Sequence, residues 1–371
     1  MRRARFLGVL FTVVFAMRAT ALAAPAIAPA ALERIAVSAD KRFLVQLPSG
    51  RPFVPWGFNY DRDYRMRLIE DYWFDEWETV ASDFREMKAL GANIVRIHLS
   101  VAPFLKSPDE ANAKNVAQLR KLVRLCEEIG IYLDVTGLGS YRKEDAPAWY
   151  VNTTDAQRWA IQAKCWEVIA EACGDSPAVA WYDLANEPVV PGEAQKPREW
   201  MFGHLASFWY CQYITLDPAG RDRGEIARAW VRQMSAAVRK HDRDALITVG
   251  MLPFTSSPGQ PSLGVDPPAL AELLDLICVH VYPKPPPFEQ AMAILEKFDV
   301  TGKPLVIEEM FPMACEAKDM PAFIDVSKKH ADGWIGFYWG QTPDELKPST
   351  QPVDVTTRKW LEVFRKYRPS P

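Results

Sequence analysis

Short apolar runs alternate with longer amphipathic segments along most of the chain. The runs predict β-strands over residues 53–59, 93–99, 131–135, 179–184, 246–249, 276–282, 305–308 and 334–339. Between them, apolar positions recur every three to four residues, which predicts helices over 76–90, 116–129, 156–172, 225–241, 288–298, 321–330 and 356–367. Glycine follows two of these helices, at Gly91 and Gly130, as it often follows a helix end. The pattern therefore predicts eight strands, most of them followed by a helix.

This order of elements indicates an α/β fold. The strands are apolar throughout rather than at alternate positions, so both of their faces are expected to be covered, as in a parallel sheet. Eight such units fit a single (β/α)8 TIM barrel better than an open doubly wound sheet, and no G-x-G-x-x-G follows the first strand. We expect residues 25–371 to form this one domain, with an N-terminal hairpin turning at Pro48-Ser49-Gly50.

The longest interruption of the pattern, residues 189–223, follows the fourth strand. This loop is rich in aromatic rings, which it carries at Trp200, Phe202, His204, Phe208, Trp209, Tyr210 and Tyr213. In a TIM barrel such a loop rises from the face on which active sites are built. We expect it to form one wall of a cleft; the alternative is a small helical subdomain that packs on itself.

The composition narrows the class of protein. With 49% hydrophobic and 25% charged residues, the chain has enough apolar surface to fold. A net charge of −3 gives no electrostatic reason to expect nucleic acid or an anionic membrane as a partner. The 13 tryptophans indicate either aromatic platforms around a cleft or a Trp-rich core. The six cysteines show no metal-ligand spacing, and Cys126 and Cys278 are predicted to be buried thiols.

Residues 1–24 have the organisation of a secretory signal peptide. Arg2, Arg3 and Arg5 precede an apolar run over residues 6–17, and Ala21-Leu22-Ala23 fits the small-residue cleavage rule. The run is short for a membrane span. We expect a secreted or periplasmic protein with no membrane association after cleavage; an uncleaved anchor is the alternative.

Two predicted strands end in carboxylates. The fourth, V-A-W-Y-D-L-A-N-E-P, ends in Asn186-Glu187, and the seventh, K-P-L-V-I-E-E-M, ends in Glu308 and Glu309. Glycoside hydrolysis requires two such groups, because one must donate a proton to the leaving oxygen while the other is ionised beside the anomeric carbon.

With these motifs the chain resembles glycoside hydrolase family 5, the cellulase-like and mannanase-like enzymes of clan A, from W-G-F-N-Y at residues 56–60 to Trp339. The resemblance implies that Glu187 is the acid/base and Glu309 the nucleophile. It implies neither a cofactor nor a metal. It places the other site residues in N-I-V-R-I-H-L, N-E-P, V-H-V-Y-P and G-F-Y-W-G, at Arg96, Asn186, His280, Tyr282 and Trp339.

One feature departs from the family pattern. The family usually has a histidine near the end of the third strand, but residues 133–137, L-D-V-T-G, contain none. His98 or Asp134 is expected to take its place in substrate binding. Because adjacent strand residues face opposite ways, only one of Glu308 and Glu309 is expected to enter the site, and the family register favours Glu309.

The sequence therefore predicts a secreted, retaining β-glycosidase acting on a β-linked glycan, either a β-mannan, a β-glucan or a smaller glycoconjugate, by endo or exo action. Retention requires carboxyl groups roughly 5–5.5 Å apart. Two other classes stay open. An inactive carbohydrate-binding barrel is favoured by the missing histidine, and an extracellular adhesion protein would not bring Glu187 and Glu309 together.

Overall fold

The computed structural model describes residues 31–174, 176–253, 263–299 and 302–369. The signal peptide predicted over residues 1–24 lies outside this part of the chain. Within it, no helix is both long enough and apolar enough to cross a membrane.

The described residues form fourteen strands and eleven α-helices. The strands are β1 (Arg34–Val37), β2 (Leu44–Leu47), β3 (Arg51–Pro52), β4 (Trp56–Tyr60), β5 (Ile94–Ser100), β6 (Tyr132–Gly139), β7 (Val179–Asn186), β8 (Pro188–Val189), β9 (Met201–Leu205), β10 (Phe208–Tyr213), β11 (Ile247–Met251), β12 (Ile277–His280), β13 (Leu305–Glu309) and β14 (Gly333–Phe337). The helices are α1 (Ile69–Tyr72), α2 (Trp77–Leu90), α3 (Val101–Phe104), α4 (Ala113–Ile129), α5 (Ala148–Val151), α6 (Asp155–Cys173), α7 (Arg223–Arg239), α8 (Pro267–Leu270), α9 (Glu289–Phe298), α10 (Met320–Ser327) and α11 (Pro352–Lys366).

Eight parallel strands close into a barrel in the order β4, β5, β6, β7, β11, β12, β13, β14, and β14 pairs with β4. Every residue of these strands is buried, as the uninterrupted apolar runs predicted. Their carboxyl ends meet at one face, where the loops that follow can build a site. The predicted (β/α)8 barrel is confirmed.

Two helices end where the sequence indicated, at the glycines that follow α2 and α4. After α2 the chain reverses at Gly91, with φ 101°, and after α4 at Gly130, with φ 70°. Both values lie in the left-handed region that glycine adopts without steric cost. The apolar faces of these helices pack on the barrel, so they serve to hold the strand ends in position.

The predicted hairpin is the antiparallel pair β2–β3, and β1 extends it to three strands. Ile35, Leu44 and Phe53 pack against residues at the starts of the barrel strands, among them Ile94 and Leu276. The small sheet therefore covers the amino-terminal end of the barrel and leaves the opposite end free for a site.

The segment after β7 is a β-hairpin rather than a helical subdomain. Strand β10 pairs antiparallel with β9 and parallel with β8. Trp200 is buried, and its indole N–H donates to the Val151 carbonyl at 3.0 Å, so this ring is a core residue. Other parts of the hairpin do form a cleft wall, as described below.

The tryptophan excess belongs mainly to the core. Seven of the 13 tryptophans are fully buried, namely Trp73, Trp166, Trp181, Trp200, Trp230, Trp334 and Trp360. Trp339, in contrast, lines a pocket. Cys126 and Cys278 are buried free thiols.

Candidate active site

A pocket of about 810 Å³ opens at the carboxyl end of the barrel. Glu187 and Glu309 both line it, so the structure brings together the two predicted carboxylates. Asn186, Tyr282 and Trp339 line it as well.

The two carboxylates lie close together. One oxygen of Glu187, one oxygen of Glu309 and a ring nitrogen of His280 all lie within 4.8 Å of one another. Oxygens of the two carboxylates thus approach within 4.8 Å, closer than the roughly 6.5 Å between carboxyl groups at which inverting sites begin. The geometry therefore suits a direct attack by one carboxylate better than an attack by water held between the two.

Glu187 is placed by an unusual backbone conformation. Its φ is 47°, a left-handed value that costs free energy in a residue with a Cβ. Two hydrogen bonds hold it: the Glu187 N–H donates to the Gly250 carbonyl at 2.9 Å, and the Glu187 carbonyl accepts from the Gln212 N–H at 3.4 Å. The turn at the end of β7 is thus fixed by β11 on one side and by β10 on the other.

Glu309 is held by one donor on each oxygen. Arg96 Nη1 donates to Oε1 at 2.7 Å, and the Tyr282 hydroxyl donates to Oε2 at 2.6 Å. Both bonds stabilise a carboxylate in a fixed orientation. This is the arrangement that a nucleophilic carboxylate requires.

Arg96 is fully buried beneath the pocket and acts through its neighbours. Besides Glu309, its guanidinium donates to Asp183 at 2.7 Å, to Asn186 at 2.9 Å and to Asn59 at 3.0 Å. The Asn186 amide N–H donates in turn to the Tyr210 carbonyl at 3.1 Å. Arg96 therefore positions both Glu309 and Asn186, and is not itself exposed to a substrate.

Glu308 occupies a buried layer below Glu309. The pairing of β12 with β13 shifts register between Val279 and His280, so that His280 is aligned with Glu309. At such an irregularity strict alternation of side chains fails. The Glu308 carboxylate consequently lies inside the barrel, 3.6 Å from Arg96 and 3.5 Å from His280. Both members of the pair therefore lie inside the barrel, with Glu309 at the pocket and Glu308 below it.

Gly250 leaves space for this buried layer. A Cβ there would lie 2.8 Å from Glu308, 2.9 Å from Arg96 and 3.0 Å from His280. A larger residue would push these charged groups apart. Only the barrel geometry reveals this requirement.

The missing third-strand histidine is not replaced at the pocket surface. His98 is buried, and its Nδ1 shares a hydrogen bond of 2.6 Å with the Tyr141 hydroxyl. Asp134 is fully buried, with its carboxylate 3.8 Å from Arg96 Nε. The structure therefore places both side chains beneath the pocket, where His98 supports Tyr141 rather than meeting a sugar directly.

His280 lies buried between the two pocket carboxylates. Burial alone would lower its pKa, but the negative charge of Glu309, the hydrogen bond to Glu187 and the Glu308 carboxylate 3.5 Å from Nε2 raise the pKa to about 10. The ring is thus an imidazolium at neutral pH. Its Nδ1 lies 2.8 Å from Glu187 and 3.4 Å from Glu309.

The pKa values of the two pocket carboxyl groups are shifted in opposite directions, although His280 acts to lower both. Burial acts to raise the pKa of Glu187, but the hydrogen bond and charge of His280, the Cys211 thiol and Arg96 lower the pKa overall. For Glu309 burial prevails over His280 and Arg96, and the pKa is raised. Before a substrate enters, the proton nearest to Glu187 therefore resides on His280.

The same three groups were tested as a metal site. Glu187, His280 and Glu309 are near enough to share an ion. However, an imidazolium has no free electron pair on Nδ1, and Glu309 is already held by Arg96 and Tyr282. The donors present fit a hydrogen-bonded carboxylate pair better than a metal.

Trp339 forms part of an aromatic wall. Its indole N–H donates to Asp61 at 3.0 Å, and the Phe337 ring stacks on it with centroids 5.3 Å apart. The Arg62 guanidinium lies over the indole at 4.6 Å. The ring is therefore held rigidly at the pocket surface.

Sequence reasoning missed Cys211. This residue of β10 places its sulfur 2.9 Å from Glu187 Oε2, as a thiol that donates to the carboxylate. No motif indicates the contact, because Cys211 belongs to the hairpin that follows β7. Only the fold of that hairpin brings the thiol to the site.

We expect Cys211→Ala to move the basic limb of the pH profile of kcat to higher pH, because that profile reports the enzyme–substrate complex, in which Glu187 holds the acid proton. The thiol stabilises ionised Glu187, so its removal raises the pKa of Glu187 and keeps that residue protonated over a wider range. The profile should be measured with an aryl β-glycoside, with Cys315→Ala as control, since Cys315 contacts Met320 instead. A basic limb that does not move would contradict this role.

Comparisons with known proteins agree with the architecture. The family model Cellulase (glycosyl hydrolase family 5) matches residues 52–343. Among solved structures, the exo-β-1,4-mannosidase from Opitutaceae bacterium strain TAV5 is similar, with 17% identity and a TM-score of 0.61 over 89% of this chain and 61% of that one. The β-1,4-mannanase from the sea hare Aplysia kurodai shares 14% identity with a TM-score of 0.59, over 89% and 96% of the two chains.

A third solved structure, the catalytic domain of the Thermobifida fusca endoglucanase Cel5A, shares 14% identity with a TM-score of 0.51, over 83% of this chain and 86% of that one. At these identities the structures show a shared fold. The chain spans less than two thirds of the length of the Opitutaceae protein. No curated protein sequence matches it.

Proposed function

Because the chain belongs to glycosyl hydrolase family 5, we propose that it hydrolyses a β-linked glycan with Glu187 as acid/base and Glu309 as nucleophile. The observation that carries this assignment is the approach of the two carboxylates to within 4.8 Å at the ends of β7 and β13. An adhesion protein would have no reason to bring these groups together.

In the first step Glu309 attacks the anomeric carbon. Arg96 and Tyr282 hold both of its oxygens, so the carboxylate is oriented before the substrate binds. The bond from the anomeric carbon to the leaving oxygen breaks, and that oxygen takes a proton from Glu187. The product of this step is a covalent glycosyl-enzyme.

The proton for Glu187 has a source at hand. His280 is protonated and lies 2.8 Å away across a hydrogen bond. A sugar that fills the pocket excludes water and thereby favours the neutral form of Glu187. Transfer of the His280 proton to Glu187 then makes Glu187 the general acid.

In the second step water releases the sugar. Glu187, now ionised, takes a proton from the water as its oxygen attacks the anomeric carbon and displaces Glu309. Each of the two steps inverts the configuration at the anomeric carbon, so that the product has the same anomeric configuration as the substrate. We expect Asn186 to bond the sugar 2-hydroxyl and Trp339 to contact a pyranose ring.

The glycan is proposed by class. We propose a β-mannan, a β-glucan or a smaller glycoconjugate, since the solved neighbours include enzymes named for mannan and for glucan. The organisation of residues 1–24 supports export to the periplasm or the medium, and cleavage of that segment.

The experiment that tests this function is hydrolysis of a panel of β-linked polysaccharides and aryl β-glycosides, followed by NMR of the anomeric proton. We expect at least one substrate to be cleaved and its product to appear first as the β-anomer. An α-anomer as first product would contradict Glu309 as nucleophile. Binding of sugars without any cleavage would identify an inactive carbohydrate-binding barrel.

A further inference from the structure

Arg62 lines the active-site pocket, and no other lysine or arginine among the described residues does so. The side chain is half-buried, and its Nε is buried without a hydrogen-bond partner. It forms no ion pair with a carboxylate in the described part of the chain, whereas nearby Arg67 pairs with both Asp63 and Glu76. The pocket therefore contains one guanidinium whose charge the protein does not neutralise by direct contact.

The two pocket glutamates already have cationic partners. Arg96 donates to Glu309 at 2.7 Å, and the His280 ring lies 2.8 Å from Glu187. The charges of these carboxylates are thus compensated within the protein, and neither requires the guanidinium of Arg62.

Asp61 precedes Arg62 in the chain, but it does not form an ion pair with the guanidinium. Its Oδ1 accepts from the Trp339 indole N–H at 3.0 Å and from the Arg62 backbone N–H at 2.9 Å. Burial raises the pKa of Asp61, although the charge of Arg62 acts to lower it. Asp61 therefore holds the Trp339 ring and the turn after β4, and the guanidinium can pair with a ligand.

The guanidinium lies where a bound sugar is expected. Its central carbon is 4.6 Å from the centre of the Trp339 ring, the ring that we expect to contact a pyranose. It is also close to the Tyr210 hydroxyl, whose pKa burial raises and Arg62 acts to lower. A sugar in contact with Trp339 therefore meets a guanidinium and a phenolic hydroxyl, both of which can donate hydrogen bonds.

An anionic group on this sugar fits the guanidinium better than a neutral hydroxyl does. A bound sugar displaces water from the pocket, and a charge that is then left without a partner costs free energy. A hydroxyl is a neutral acceptor. A carboxylate or a sulfate, in contrast, neutralises the charge and accepts from two guanidinium N–H groups at once.

We propose that Arg62 selects glycans that carry an anionic group, a carboxylate or a sulfate ester, on the sugar that contacts Trp339. This inference rests on the proposed function and specifies its substrate class, as an acidic form of the β-mannan, β-glucan or smaller glycoconjugate. The chemistry at Glu187 and Glu309 is unchanged, because Arg62 binds the substrate and takes no part in proton transfer.

The test compares nitrophenyl β-glycosides of the gluco, manno and galacto series. Each sugar is assayed in its neutral form, as the uronic acid and as the sulfate esters, so that the two sources of negative charge are distinguished. We expect kcat/KM for an acidic form to exceed that for the neutral sugar by about tenfold or more, since hydrogen bonds to charged groups are of this strength. Added salt should reduce the preference. Equal or faster cleavage of the neutral sugars would overturn the proposal.

Matched arginine variants locate the effect. Arg62→Gln should lower the acid-to-neutral ratio of kcat/KM by about tenfold or more. Arg62→Lys should lower it less, because the ammonium keeps the charge but not the paired donors. Arg65→Gln is the control, since Arg65 is exposed, lies over the Tyr64 ring at 5.3 Å and does not line the active-site pocket. An unchanged ratio in Arg62→Gln, or an equal loss in Arg65→Gln, would refute the proposal. If a variant does not fold, the substrate series on the unaltered enzyme remains decisive.

The failure of this inference is distinct from that of the proposed function. Cleavage of neutral glycosides without a preference for the acidic ones rejects the role of Arg62 and leaves the glycosidase assignment standing. If no glycoside is cleaved, the proposed function fails, and calorimetric titration with the free uronic acids and their neutral sugars decides the role of Arg62. That role then stands only if a uronic acid binds more tightly and Arg62→Gln removes the difference.

Discussion

Glu309→Gln is expected to lower kcat by on the order of 10⁴-fold or more, because the amide cannot form the glycosyl-enzyme on which both chemical steps depend. The replacement preserves shape and keeps a partner for Arg96 and Tyr282, which hold the two carboxylate oxygens at 2.7 and 2.6 Å. Sugar binding should therefore survive. Steady-state kinetics on an aryl β-glycoside, with calorimetric titration of the reaction product, measures both quantities.

Two further glutamate variants make this result specific. Glu187→Gln should lower kcat by about 10²–10⁴-fold for substrates with poor leaving groups. The loss should be much smaller for a dinitrophenyl glycoside, because its phenolate leaving group departs without taking up a proton. Glu171→Gln makes the same chemical change on α6, at a side chain that is 60% exposed and does not line the pocket, and should leave the rate unchanged. Normal turnover by the Glu309 variant would reject the nucleophile assignment.

Arg96→Met is expected to destabilise the protein by about 3–5 kcal/mol, the usual cost of removing one partner from a buried ion pair. The guanidinium is fully buried with Asp183, Glu308, Glu309 and Asp134 within 4 Å. Without the guanidinium, His280 is the remaining buried cation of this group, and it lies within 4 Å of Glu308 and Glu309. The network would have to take up protons or open to water.

Equilibrium unfolding in urea measures this effect. Arg120→Met is the control, since Arg120 pairs with Glu171 at 3.6 Å on the surface and such pairs contribute about 0–1 kcal/mol. Arg96→Lys tests the role of the guanidinium geometry, because one ammonium cannot reproduce its donors to four different residues. Equal stability of the Arg96 and Arg120 variants would show that the buried network does not depend on Arg96.

Much of the candidate site was predictable from the chain because the barrel is parallel. Asn186 and Glu187 follow one apolar run, and Glu309 ends another. Parallel strands present their carboxyl ends at a single face, so residues at these points converge without knowledge of the loops. His280 and Tyr282 follow the same rule, although the structure ends β12 at His280.

Other features depend on register and on loop folding, which local patterns do not encode. The shift between β12 and β13 places Glu308 inside the barrel, contrary to simple alternation. His98 shares a face with Arg96 in the sequence pattern, but it is covered and bonded to Tyr141. The β9–β10 hairpin buries Trp200 and exposes Leu205, and its composition alone does not distinguish the two.

The sequence by itself determined the eight strands of the barrel, their parallel closure and the carboxylates at two strand ends. Apolar runs and strand termini are local properties of the chain, and the barrel topology brings those termini to one face. Only the tertiary structure decided which glutamate of the pair faces the pocket, that His280 lies between the two pocket carboxylates, and that Cys211 contacts Glu187. These relations join residues distant along the chain through a register shift and an inserted hairpin. The strength of these interactions depends on burial and on the distances between charges, and both are set only when the barrel has closed.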